Sequence, residues 1–252
     1  MKKKDINFKN RIFFIDELRG FCIICMVIYH AMFDLVYIFK LSSLLPIMNI
    51  LNILEPFFAA VFIIICGLSC MLSKNNLIRG LKLLAVAILV SVVTIVFMPE
   101  QAIYFGILHM LAVSILLFVL LKKLLIKIPT AIGMAINIIL FFLTYQIGQG
   151  KIGAFGIYLN IPESITSIKL FFPIGLHIIP SADYFPLFPW IFIFIFGVYI
   201  GVIAKKNKLP RFMYRSRIKA LSVVGSHTLL IYILHQPIIY GILYLLFNYI
   251  IK

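Results

Sequence analysis

The sequence predicts an all-α, polytopic integral membrane protein: about seven transmembrane helices in one bundle, with the N-terminus in the cytoplasm. Three observations predict it. Of the 252 residues, 63% are hydrophobic and 12% are charged, against roughly 45–50% and about 25% in soluble domains, which is too much apolar surface for a water-facing globule. The apolar residues come in runs near the roughly 20-residue length that crosses a bilayer. The 23 Lys plus Arg, against 8 Asp plus Glu, stand at the breaks between those runs. A nucleic-acid partner would need the basic residues gathered on one folded, water-exposed face, and this distribution excludes it. Short connections leave no room for a separate soluble domain, so residues 1–252 read as a single membrane-embedded domain.

The first span, about 17–39, is opened by Asp16, Glu17 and Arg19. The preceding MKKKDINFKNR is similar to the basic region of a signal peptide, but these three charges interrupt the apolar run after it and no small-residue cleavage site is present, which makes it the cytoplasmic start of an uncleaved span. The second span, about 46–72, contains Glu55-Pro56 and ends before Lys74. The third, about 78–98, starts among Arg79 and Lys82, and the fourth, about 102–121, ends at Lys122, Lys123 and Lys127. The fifth is about 130–146; the sixth, about 184–204, is opened from outside by DYFPLFPW, whose Tyr and Trp suit a membrane interface. KKNKLPRFMYRSRIK leads into the seventh, about 220–249. With the N-terminus inside, every Lys and Arg except Lys40, Lys151, Lys169 and Lys252 falls on the cytoplasmic side, the asymmetry that orients membrane proteins. No internal repeat is visible, which speaks against the inverted-repeat plan of many transporters.

One connection is too long for a simple loop. Residues 147–183 carry Gly148, Gly150, Gly153 and Gly156 and then SIKLFFPIGLHIIP, apolar but too short to span. The segment reads as an external cover over a site, lying at the interface or dipping into the bundle.

A titratable side chain in hydrocarbon costs roughly 2.5–3.5 kcal/mol on insertion scales, so each one needs a reason. His30 and Asp34 in the first span, Glu55 in the second, His109 in the fourth and His235 in the seventh stand out. His30 lies roughly 16 Å along the helix from Arg19 at about 1.5 Å per residue, and the others fall in the middle or outer half of the bilayer. Their convergence points to one shared polar cavity. His30 and Asp34, at i and i+4, share a helical face. The pair reads either as a base oriented by a carboxylate or as a hydrogen bond between helices. His109 reads as catalytic or as a bond to a neighbouring helix; His235 and Gln236 as site groups or as repair of a kink at Pro237. Glu55 and Asp183 are candidates for binding substrate, Glu55 as a buried acid and Asp183 at an outer entrance. Arg19 with Asp16 is placed to face a bound phosphate through the planar guanidinium fork, or to anchor the span by snorkelling. His177 and His227 read as solvated.

Cys22, Cys25, Cys66 and Cys70 all lie in apolar runs. Without further ligands, the C-x-x-C at 22–25 reads as buried small hydrophobes. The histidines lack ligand spacing, so no metal is expected.

RIFFIDELRGFCIICMVIYHAMFDL in the first span, FGILHMLAVS at 105–114, DYFPLFPWIFIFIFGVYIG at 183–201 and VGSHTLLIYILHQP at 224–237 occur in this order. Together they resemble bacterial members of the heparan-alpha-glucosaminide N-acetyltransferase catalytic-domain family, within the wider transmembrane acyltransferase superfamily. The resemblance rests on Asp16, on Leu18-Arg19-Gly20, and on His30 eleven residues beyond Arg19. It implies transfer of an acyl group, usually acetyl, from cytoplasmic acetyl-CoA or another acyl-CoA to a hydroxyl or amine acceptor across the bilayer. Arg19 and His30 match the family positions most tied to activity. The H-x-P-W-N-G segment of the eukaryotic lysosomal enzyme is absent, which leaves the glucosamine acceptor open. The expectation is a multi-pass protein of the bacterial cytoplasmic membrane that modifies an extracytoplasmic glycan of the cell envelope, with room for a homodimer. His30, oriented by Asp34, would deprotonate the acceptor; Arg19 and neighbouring Lys or Arg would hold the coenzyme A phosphates; His109 and His235 would polarise the thioester carbonyl or orient the acceptor. Two other classes fit the polar residues: a proton-coupled transporter or channel, and a structural membrane subunit.

Overall fold

The computed structural model describes residues 12–250, so the basic stretch MKKKDINFKNR and Lys252 lie outside the described residues. Seven helical stretches among them are long and apolar enough to cross a membrane: Phe13–Ile38, Ser42–Leu72, Asn76–Phe97, Ile107–Leu125, Thr130–Gln149, Leu187–Lys205 and Thr228–Asn248. Large apolar side chains on them face outward, Leu120 and Phe97 each 76% exposed, the reverse of a soluble protein. The chain forms two compact units, one of residues up to Phe62 together with those from Leu209 onward, the other Ile63–Lys208.

The first unit holds α1 (Phe13–Phe33), a π-helical turn (Asp34–Ile38) and the start of α2 (Leu45–Leu72). Here the 220–249 span departs from expectation. It is two helices, whose places in chain order are α8 (Lys219–Ser226) and α9 (Thr228–Leu245), broken at His227. The Ser226 hydroxyl and His227 Nδ1 both bond the Val223 carbonyl, and such local side-chain bonds compete with helix continuation. α1 and α8 cross on two glycines. A Cβ on Gly20 would collide with the Leu221 carbonyl oxygen, and one on Gly225 with that of Asp16. Small residues of this kind let membrane helices approach backbone to backbone.

The second unit holds the rest of α2, α3 (Asn76–Phe97), α4 (Ile107–Leu125), α5 (Thr130–Thr144) and α7 (Leu187–Lys205). Gly67 of α2 and Gly197 of α7 make the same kind of close crossing, against the Phe194 and Ile64 carbonyls. Between α5 and α7 lie a hairpin of β1 (Lys151–Ala154) and β2 (Ile157–Asn160) and the single-turn α6 (Glu163–Thr166), a small exception to the all-α expectation. α4 starts at Ile107, five residues after the expected start. Residues 102–105 run instead as extended chain alongside 182–185, with Ala182 N–H donating to the Ala102 carbonyl at 3.2 Å and Phe185 N–H to that of Phe105 at 3.1 Å. Tyr184, expected to open the sixth span, belongs to this bridge.

Candidate active site

The first unit gathers His30, Asp34 and His235. Side chains on a helix lean toward its N-terminus, and His30 Nδ1 lies 3.0 Å from the Met26 carbonyl one turn back. A carbonyl only accepts, so Nδ1 carries the proton and Nε2 holds the lone pair. The orienting group is therefore a backbone carbonyl, where the i,i+4 spacing suggests Asp34. Asp34 opens the π turn, its carbonyl accepting from Phe39 N–H at 2.9 Å. Fully buried, its carboxylate accepts from Gln236 Nε2 through both oxygens, at 2.8 and 3.0 Å.

α9 thus lays two adjacent side chains across one turn of α1, Gln236 on Asp34 and His235 on His30. The two imidazoles are 5.0 Å apart between centroids and inclined at 74°. His235, 9% exposed, donates from Nδ1 to the Tyr232 carbonyl at 2.6 Å. That carbonyl is not the Ile233 oxygen freed by Pro237, so the contact is no kink repair. His235 Nε2 and Gln236 Oε1 are buried and have no hydrogen-bond partner among the described residues. Both are acceptors, and buried acceptors call for a donor. Close by on α1, Tyr29 donates to Asn52 of α2 at 3.0 Å; half-buried Glu55 lies one turn beyond Asn52.

Arg19 and Asp16 sit toward the start of α1, Arg19 roughly 16 Å along the helix from His30, and pair at 3.4 Å. Between them in sequence, buried Glu17 accepts through one oxygen from Ser216 Oγ at 3.0 Å, Arg217 N–H at 2.6 Å and Ile218 N–H at 2.9 Å, just ahead of α8.

The second unit gathers His109 and Asp183. Asp183 accepts from Ile107 N–H at 3.1 Å, a carboxylate on the positive end of α4, and Gly106 leaves no room for a Cβ beside it. His109 Nδ1 accepts from Gly106 N–H at 3.3 Å, so Nε2 carries the proton, 3.3 Å from Ser91 Oγ on α3. Both ring nitrogens are thus engaged within the unit. The 147–183 segment is tied down around the same place: the Tyr184 hydroxyl donates to the Phe172 carbonyl at 2.6 Å and lies 3.1 Å from that of His177. Burial pushes the Tyr184 pKa up to about 12. His177, expected to be solvated, is half-buried with Nδ1 2.8 Å from the Thr166 carbonyl; His227 is exposed. Arg79 donates to the sulfurs of Cys66 and Cys70 at 3.3 and 3.8 Å, a packing role for these thiols. Among the described residues no three His, Cys, Asp or Glu side chains gather as metal ligands.

Sequence reasoning left Gln236 beside a proline and missed the Glu17 anchor, because both partners lie some 200 residues away in the chain. The signal for each was the oddity of a polar group in an apolar setting.

The sequence model of the family described as heparan-alpha-glucosaminide N-acetyltransferase, catalytic, matches residues 11–237. No curated protein and no solved structure matches the chain. The family match runs through both units and all the site residues of each, and with seven spanning-length apolar helices it makes this a multi-pass membrane protein of acetyltransferase type. The chain belongs to the heparan-alpha-glucosaminide N-acetyltransferase catalytic-domain family.

Proposed function

We propose that the protein moves an acyl group, usually acetyl, from cytoplasmic acyl-CoA to an amine or hydroxyl of a cell-envelope glycan on the outer side of a bacterial cytoplasmic membrane. The observation that supports this reading is the imidazole pair, in which half-buried His30 presents its Nε2 lone pair and the Nε2 of neighbouring, buried His235 lacks a donor. An acceptor N–H or O–H is the group that such a pair receives. His30 Nε2 takes the proton as the acceptor heteroatom bonds to the thioester carbonyl carbon. The carbon–sulfur bond then breaks, and the coenzyme A thiolate recovers the proton from His30. Asp34, one turn along α1 and clamped by Gln236, stabilises the transient imidazolium, an effect strengthened in a water-poor site. His235 orients the acceptor. Glu55, one turn from Asn52 on α2, is assigned to substrate contact. Arg19, held by Asp16, faces the donor phosphates. His109 and Asp183 act as positioning residues for the start of α4.

The test is binding and turnover of acetyl-CoA by purified protein in lipid nanodiscs. Wild type binds; Arg19→Ala weakens binding; His30→Ala retains binding and loses at least a hundredfold in turnover, the usual share of a general base. A wild type that binds no coenzyme A thioester would sink the reading and leave the proton-coupled transporter, assayed by flux, as its replacement.

A further inference from the structure

We infer that the segment 211–219, held in place by Glu17, is the seat of the coenzyme A phosphates. The inference rests on the acyl-CoA reading and deepens it. Arg211, Arg215 and Lys219 are exposed, and a run of exposed cations alone would be no more than a solvated face. Three observations make this one a built feature. Buried Glu17 gathers Ser216 Oγ, Arg217 N–H and Ile218 N–H on a single carboxylate oxygen within 3.0 Å. That is three bonds to an ionised group, each stronger than a neutral one. The fourth cation of the segment, Arg217, is exposed as well, but its guanidinium lies 5.4 Å over the Phe212 ring, which stands edge-on to Phe14 of α1 at 5.7 Å. Finally, the Tyr214 hydroxyl is buried with no hydrogen-bond partner among the described residues, a donor in the middle of a basic segment.

A segment tethered at 212 and at 216–218 has already lost most of the freedom that binding would otherwise cost. Arg215 and Lys219 flank the tether, one on either side, and suit a polyanion with separated phosphates. Arg offers the planar fork and Lys the point charge. Coenzyme A carries a pyrophosphate and a 3′-phosphate, whereas its pantetheine arm carries none. Glu17 is then a positioning residue, acting through the backbone it holds.

The experiment compares acetyl-CoA with S-acetylpantetheine, which keeps the thioester and lacks the phosphates, in phosphatidylcholine nanodiscs free of anionic lipid. With acetyl-CoA, the double variant Arg215→Ala, Lys219→Ala raises KM roughly tenfold or more, as expected for lost charge-assisted contacts, while kcat changes little. Glu17→Ala raises KM in the same way, and Glu17→Gln, which keeps an oxygen for the same donors, recovers most of the loss. With S-acetylpantetheine the rise in KM is at least tenfold smaller. If Glu17→Ala does not fold, the exposed double variant carries the test. An unchanged KM for acetyl-CoA, or an equal rise for both thioesters, overturns the phosphate seat and leaves the acyl-CoA reading standing. A wild type that turns over neither thioester overturns that reading itself.

Discussion

A carboxylate is costly to bury without a counter-charge, and Asp34, fully buried, takes its hydrogen bonds from a neutral amide. The arrangement holds because Gln236 satisfies both oxygens at once. Gln236→Leu strips that donor and leaves the carboxylate uncompensated, so it destabilises the protein by about 1–3 kcal/mol. Replacing both partners, Asp34→Leu with Gln236→Leu, removes the unsatisfied group and restores much of the loss. Thermal unfolding of the two variants in detergent measures this, and a Gln236→Leu protein as stable as wild type would show that the clamp contributes nothing. At this scale the sequence singles out the candidate site residues, because His30, Asp34 and His235 stand out against apolar neighbours. It does not reveal how they pair. The i,i+4 spacing suggests His30 on Asp34, yet the lean of helical side chains carries the imidazole to Met26, and Asp34 is claimed by a residue on α9.

Elements are legible in the sequence where hydrophobic length decides them and illegible where backbone polar groups do. All seven spans follow from apolar runs, whereas the break at His227 and the late start of α4 come from hydrogen bonds to the Val223 carbonyl and from the Asp183 cap. The same contrast separates the glycines. Gly20 and Gly225 let α1 and α8 meet backbone to backbone, while nothing lies within 4 Å of a Cβ added at Gly241 of α9. Gly20→Ala therefore forces the two helices apart, at about 1–3 kcal/mol or more for overpacking, and shifts the segment that Glu17 holds. Gly241→Ala is neutral or stabilises slightly, since glycine is the poorer helix former by about 1 kcal/mol. Comparing the two melting temperatures checks the crossing. Equal temperatures would mean that α8 can shift on α1 without cost.

For the whole molecule, the decisive quantity is which face of the membrane each connection occupies, since the donor and acceptor sides of the proposed reaction depend on it. Only Lys40, Lys151, Lys169 and Lys252 fall outside if the N-terminus is cytoplasmic, and reversing the chain would carry all the other basic residues across the bilayer against the positive-inside rule. The structure supplies probes at both ends of this argument. Lys151, in β1, and Lys123, at the end of α4, are both exposed, whereas Cys22, Cys66 and Cys70 are buried and Cys25 is half-buried. In a background where the four native cysteines are replaced by alanine, Lys151→Cys should react with a membrane-impermeant maleimide on intact cells. Lys123→Cys should react only after the membrane is opened. The reverse pattern would put the 211–219 segment and Arg19 outside, away from cytoplasmic acyl-CoA, and the donor assignment would fall with it. The labelling experiment requires no substrate and no activity, so it tests the geometry of the reaction independently of its chemistry.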